Sequence, residues 1–136
     1  MPHRLKFRIL EERLAVCRLE PAARIPKWAI DGQFFCVART PDELSVVCSE
    51  SVVPKATMAE RGWVALKLEG PFPFSLSGVL AAFARPLAQA RIGIFAISTF
   101  DTDYILIKKD DCEAAMAALE TAGHENIGKQ PSNHKR

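Results

Sequence analysis

The stretch Arg91–Lys108, R-I-G-I-F-A-I-S-T-F-D-T-D-Y-I-L-I-K, decides the fold. Two apolar, β-rich runs flank the polar residues Ser98–Asp103, which is the pattern of a hairpin with a short loop. Along the first run Ile92, Ile94 and Ala96 point one way and Phe95 and Ile97 the other, because strand side chains alternate. Both faces are therefore apolar. Burying one such large side chain is worth roughly 1.5–3 kcal/mol, so neither face should be left in water. Helices cover one face. A second repeat, a partner chain or a long loop would cover the other, unless the strand lies inside a single layered domain.

Upstream, Trp63–Glu69 (W-V-A-L-K-L-E) is a strand-length run that stops at Gly70-Pro71. A turn-rich loop follows, Phe72–Gly78. Leu76, Val79, Leu80, Phe83, Leu87 and Ala90 then recur at three- and four-residue spacing, which predicts a helix to about Ala90. Ser75 and Ser77 are its candidate N-caps. Pro86 offers no N–H to the Ala82 carbonyl, so a kink or an early break is expected there. Downstream, Asp110 opens a second helix, with Asp110 and Glu113 spaced as a capping box. Cys112, Ala115, Met116, Leu119 and Ala122 form its apolar face, and Gly123 stands where a helix-ending glycine belongs. His124–Ile127 reads as a last short strand. The order strand, helix, strand, strand, helix, strand is the ferredoxin-like βαββαβ pattern: an α+β fold, its sheet antiparallel, its helices on one face.

The N-terminal half looks like a shortened copy. Phe34–Cys48 (F-F-C-V-A-R-T-P-D-E-L-S-V-V-C), shifted by 60 residues, lies without gaps over Ile94–Lys108. Cys17–Glu20 matches Leu66–Glu69. Between its matching pieces the first copy has only Pro21–Asp31, around Trp28, where the second has a full helix. Two unrelated hairpins that look alike are the alternative. The repeat reading divides the chain into a degenerate N-terminal repeat at 1–61, a C-terminal repeat at 62–127 and a tail at 128–136. Lys129, Pro131, Ser132, Asn133, Lys135 and Arg136 give that tail almost nothing to bury, so it is expected to fray.

A strand–helix–strand crossover puts the helix N-terminus at the same edge as the end of the second strand. Phe74–Gly78 should thus sit beside Ser98–Asp103. A helix N-terminus suits a carboxylate. Asp101 and Asp103 suit an ammonium or guanidinium, so the edge would hold a zwitterionic amino acid. Gly78 would let a ligand come close. The same residues have structural roles open to them: Ser75 and Ser77 as caps, Asp101 and Asp103 as turn formers.

Other functions find little support. With 136 residues the chain is one ordinary domain or two half-size units. A net charge of +2 makes no extended nucleic-acid surface, and the aliphatic strands, with Phe95 isolated, lack the basic-aromatic motif of an RNA-binding sheet. No run approaches the ~18 apolar residues of a membrane span, and Met1–Arg4 leads into no signal-peptide core, so a cytoplasmic protein is expected. Cys17, Cys36, Cys48 and Cys112 form no C-x-x-C pair and read as reduced thiols. With His3, His124 and His134 they offer no metal spacing; no cofactor is expected. There is no P-loop, dinucleotide fingerprint or Ser/Cys–His pairing. Phe72–Gly78 also lacks the Arg and Asn of an acylphosphatase-like loop. An enzyme is not expected.

The hairpin Ile94–Leu106, the segment Thr40–Cys48, and Gly70-Pro71, Phe74-Ser75 and Ser77-Gly78 together resemble the marked segments of a small bacterial ACT-domain family related to the CASTOR-type cytosolic arginine sensors of animals. The resemblance spans roughly residues 5–125. It implies tandem ACT repeats, the first degenerate. It also implies a regulatory module that binds a small molecule, an amino acid or related metabolite, at a repeat or subunit interface, as a homodimer. Ser75, Leu76, Ser77, Gly78, Thr99, Phe100 and Asp103 would face the ligand, joined by Asp101 from the edge argument. Arginine-sensing relatives carry an acidic residue where this chain has Leu76, so the resemblance does not imply arginine. The alternative is a dimerisation or protein-interaction module with no small-molecule ligand.

Overall fold

A computed structural model describes residues 3–130. The strands are β1 (Lys6–Leu10), β2 (Leu14–Leu19), β3 (Cys36–Arg39), β4 (Leu44–Ser49), β5 (Ala59–Leu68), β6 (Phe95–Ser98), β7 (Asp103–Lys108) and β8 (Glu125–Gln130). The helices are α1 (Val79–Gln89) and α2 (Cys112–Thr121). The chain divides into two units. One joins the N-terminal segment through Glu11 to the residues from Val64 onward; the other is Glu12–Trp63. The linear boundary expected at 61 and 62 therefore falls inside β5. The segment expected to start the N-terminal repeat supplies a strand to the C-terminal unit instead.

That strand changes the sheet. β1 runs antiparallel to the second half of β5, with Phe7 opposite Leu68, and parallel to β8, with Lys6 opposite Glu125. β7 pairs with both β5 and β6. The sheet is thus mixed, where an antiparallel one was expected, because β1 stands between β5 and β8. β8 is also longer than the expected His124–Ile127. Ile9 and Leu10 pair with Lys129 and Gln130, so Gly128–Gln130 are strand and not tail. The rest of the expected tail, 131–136, lies outside the described residues.

α1 buries Val79, Phe83 and Leu87, four residues apart, on Leu66, Leu68 and Ile105 of the sheet. Phe83 meets Phe7 edge-on, ring centres 5.3 Å apart. The helix opens later than its serines predict. Gly78, at φ +83°, is the N-cap, and no side chain caps the helix. Neither Ser75 nor Ser77 does so. The helix also runs on through Pro86 to Gln89, because the Ala82 carbonyl finds a donor elsewhere, in the Nε2 of His124 at 3.0 Å.

α2 follows a 3₁₀ turn at Lys109–Asp111, which absorbs Asp110. Asp111 is the N-cap without a side-chain bond, so the Asp110–Glu113 capping box does not form. The C-terminal expectation holds. Gly123 sits at φ +96°, its N–H donates to the Glu120 carbonyl at 2.9 Å, and the His124 N–H to Leu119 at 3.0 Å. This is a Schellman stop, and it delivers His124 into the interior.

In the second unit β3, β4, β2 and the first half of β5 pair antiparallel in that order. Only a 3₁₀ turn, Lys27–Ile30, lies between β2 and β3, and it buries Ala29 with Val46 and Cys48. All four cysteines are free. Burial pushes the Cys48 thiol up to about 11, helped by neighbouring Cys17.

The two hairpins share one turn. Thr40 N–H donates to the Glu43 carbonyl at 2.9 Å, and Thr99 N–H to the Thr102 carbonyl at 2.8 Å. In both, the threonine hydroxyl accepts the N–H three residues on, at 3.2 and 3.3 Å. The match is thus at a shift of 59, not the expected 60. One residue matters, since a one-residue slip turns every side chain to the other face. At 59, core-facing Val46 and Cys48 fall on core-facing Ile105 and Ile107. The burial on both faces expected of Ile92–Ile97 is not met there, where Ile94 is exposed; β7 has it instead, with Leu106 as buried as its neighbours. On β6, Ala96 is exposed while Phe95 and Ile97 are half-buried.

Candidate functional site

The tip of the β6–β7 hairpin, Thr99–Thr102, is held from three sides. The threonine turn closes it. The buried Thr102 hydroxyl donates to the Leu68 carbonyl at 2.7 Å, which ties the tip to the end of β5. The Phe72 N–H donates to the Asp101 carbonyl at 2.9 Å, which ties it to the loop before α1. Gly70 makes that approach feasible: a Cβ there would lie 2.8 Å from the Asp101 carbonyl oxygen. The Gly70-Pro71 peptide is cis.

Between this tip and the start of α1 lies a cavity of about 200 Å³. One wall is the segment from Phe72 to Val79, contributing Phe72, Pro73, Phe74, Leu76 and Val79; the other is Ser98–Asp103. Of the eight residues expected in the site, Leu76, Thr99, Phe100, Asp101 and Asp103 line it. Ser77 and Gly78 do not. They border a separate hollow of about 550 Å³, beside His3, Arg85 and His124. There the Ser77 carbonyl meets His3 Nε2 at 3.0 Å. Ser75 is exposed and lines neither.

Of the apolar lining, Leu76 and Phe100 were expected; Phe72, Pro73, Phe74 and Val79 were not. Phe74 and Phe100 stand edge to face across the mouth, 4.9 Å between ring centres, although they are 76% and 79% exposed. An aromatic in each of two segments that the crossover brings together was the available signal. Asp103 accepts a hydrogen bond from the Ser98 hydroxyl. Asp101 is exposed, and its charge adds to burial in holding the Tyr104 phenol above its ordinary range. The lining contains two carboxylates and no Lys, Arg or His. Among the described residues no group of three or more His, Cys, Asp or Glu is placed to hold a metal ion.

A family model described as the ACT domain matches residues 58–121, and a second, for an N-terminal domain, matches residues 12–56. The human protein CASTOR3P is 28% identical over 92 residues, which are 58% of this chain and 56% of that one. The bovine cytosolic arginine sensor for mTORC1 subunit 1 is 22% identical over 112 residues, 73% of this chain and 34% of its own length. The chain thus spans about half of the first relative and a third of the second. Among solved structures, Atu0741 of Agrobacterium tumefaciens is 36% identical with a TM-score of 0.89, covering 98% of this chain and 99% of that one. The regulatory subunit of aspartate kinase from Thermus thermophilus shares the fold at 12% identity and a TM-score of 0.57, covering 84% and 96%.

Proposed function

This chain belongs to an ACT-domain family related to the CASTOR proteins, and we propose that it is a non-catalytic regulatory module binding an amino acid or related small metabolite in the cavity between Phe72–Val79 and Ser98–Asp103. The carrying observation is the pairing of walls. Asp101 and Asp103 offer carboxylates to an ammonium. Val79 begins α1, whose first-turn N–H groups and positive dipole end favour a carboxylate. Two relatives, a cytosolic arginine sensor and a regulatory subunit of aspartate kinase, point the same way. The shared threonine turn supports tandem repeats, the first degenerate. Exposed Phe74, Leu76 and Phe100 support a subunit interface at the cavity mouth, in a homodimer. A cytoplasmic setting is part of the proposal. Among the described residues no helix is long and apolar enough to cross a membrane.

A thermal-shift panel of amino acids and related metabolites tests this. Ligand at 100 times its Kd should stabilise by roughly 2.7 kcal/mol, a melting-point rise of several degrees. No shift with any compound would sink the binding reading. The same exposed rim favours a second reading, a dimerisation module with no ligand. Light scattering that finds a monomer, with no partner in pull-down, would rule that out.

A further inference from the structure

We infer that the ligand is a zwitterionic amino acid whose side chain is uncharged and apolar, so that the cavity takes neutral-side-chain amino acids and rejects dicarboxylic ones; this rests on the cavity being the ligand site. Every charged lining residue is an acid, and both acids come from the hairpin wall. The opposite wall, Phe72–Val79, contains no charged residue at all.

The hydroxyls add to the selection. Three of them line the cavity, and each proton is already committed within the protein. Ser98 donates to Asp103, Thr99 to the Thr102 carbonyl at 3.1 Å, and Thr102 to the Leu68 carbonyl at 2.7 Å. No side-chain donor is left for a second carboxylate. An acidic side chain would meet either the like charges of Asp101 and Asp103 or a bare apolar wall, and both are costly. A guanidinium reaching the apolar wall would likewise lose its water without gaining a partner.

Size sets the upper limit. An apolar cavity of about 150 Å³ accepts benzene, so about 200 Å³ suits a branched aliphatic or single-ring side chain. Phe74 and Phe100, both in the lining, supply aromatic surface for such a side chain.

Titration calorimetry on the intact protein tests this with L-leucine, L-phenylalanine, L-aspartate, L-glutamate, L-arginine and 4-methylpentanoate, which is leucine without its amine. Leucine or phenylalanine should bind at least about tenfold tighter than the two acidic amino acids and arginine, a clear separation on the affinity scale. 4-Methylpentanoate should fail to bind. Asp101→Asn should weaken leucine and narrow the gap to aspartate. Aspartate, glutamate or arginine binding as tightly as leucine and phenylalanine would overturn the inference while leaving the cavity a ligand site. So would 4-methylpentanoate matching leucine. If none of the six binds, and the wider panel shifts nothing, the ligand-site reading falls and takes this one with it.

Discussion

His124 Nε2 lies 3.0 Å from the Ala82 carbonyl, the one carbonyl in α1 that Pro86 leaves without its helical N–H. The opposite ring nitrogen, Nδ1, accepts the Leu5 N–H at 3.0 Å. Because Nδ1 accepts, the proton sits on Nε2, and that nitrogen donates to Ala82. One buried ring thus joins the segment before β1, α1 and the end of α2. It satisfies two backbone groups that would otherwise be stranded.

Replacing His124 with Leu should therefore destabilise the protein by about 2–4 kcal/mol, through two unsatisfied buried groups and lost packing on Phe83. Pro86→Ala supplies the missing N–H. In the His124→Leu background it should recover more stability than in the parent. Urea melts of the four proteins measure the coupling. Effects that add within about 0.5 kcal/mol would show that the two residues do not share the carbonyl.

Periodicity made α1, α2 and the β6–β7 hairpin legible, because their apolar residues recur at the spacing that burial demands. The crossover rule alone places Leu76 opposite Thr99–Asp103. Four features were not legible, and each is non-local or backbone-driven. β1 pairs with β8 across almost the whole chain, and no local pattern marks that. Gly78 begins α1 in a left-handed conformation, so the N-cap preference of Ser75 and Ser77 loses to tertiary context. The hairpin register slipped by one because both alignments put apolar residues on apolar residues; only the hydrogen bonds of Thr40 and Thr99 decide it. The local pattern predicts a kink or an early break at Pro86, and rescue by a histidine 42 positions in sequence from Ala82 cannot be read locally.

Gly70→Ala should be costly although it adds one methyl group. The new Cβ would meet the Asp101 carbonyl oxygen at 2.8 Å and the Thr102 Cβ at 3.2 Å. Relief requires the Phe72–Asp101 hydrogen bond to stretch. A loss of about 1–3 kcal/mol is expected in chemical denaturation. Ligand affinity should fall as well, since the same contact sets the cavity walls. Wild-type stability in this variant would mean that the loop is not docked on the hairpin tip.

Phe74→Ser and Phe100→Ser should separate function from folding. Both rings are mostly in water, and their edge-to-face pair is worth only about 0.5–1.5 kcal/mol. Each variant should melt within a few degrees of the parent and lose most of its response to amino acids or its self-association. Retention of both properties would remove the two rings from the functional surface.

The Cys48 thiol predicts an alkaline weakness. Burial, then the neighbouring Cys17, raises it to about 11 from an ordinary 9.0. Below the ordinary value the thiol is protonated in folded and unfolded chains alike, and pH has no effect through it. Above that value the unfolded chain ionises first, so stability falls as pH climbs towards the folded value. The loss should be on the order of 1–3 kcal/mol between about pH 8.5 and pH 11. The Tyr104 phenol, also raised, acts in the same direction, so the informative quantity is the difference between parent and Cys48→Ala. That variant pays a cavity cost at every pH but should show a shallower alkaline decline in urea melts. Parallel declines would mean that Cys48 does not titrate in the folded protein over this range.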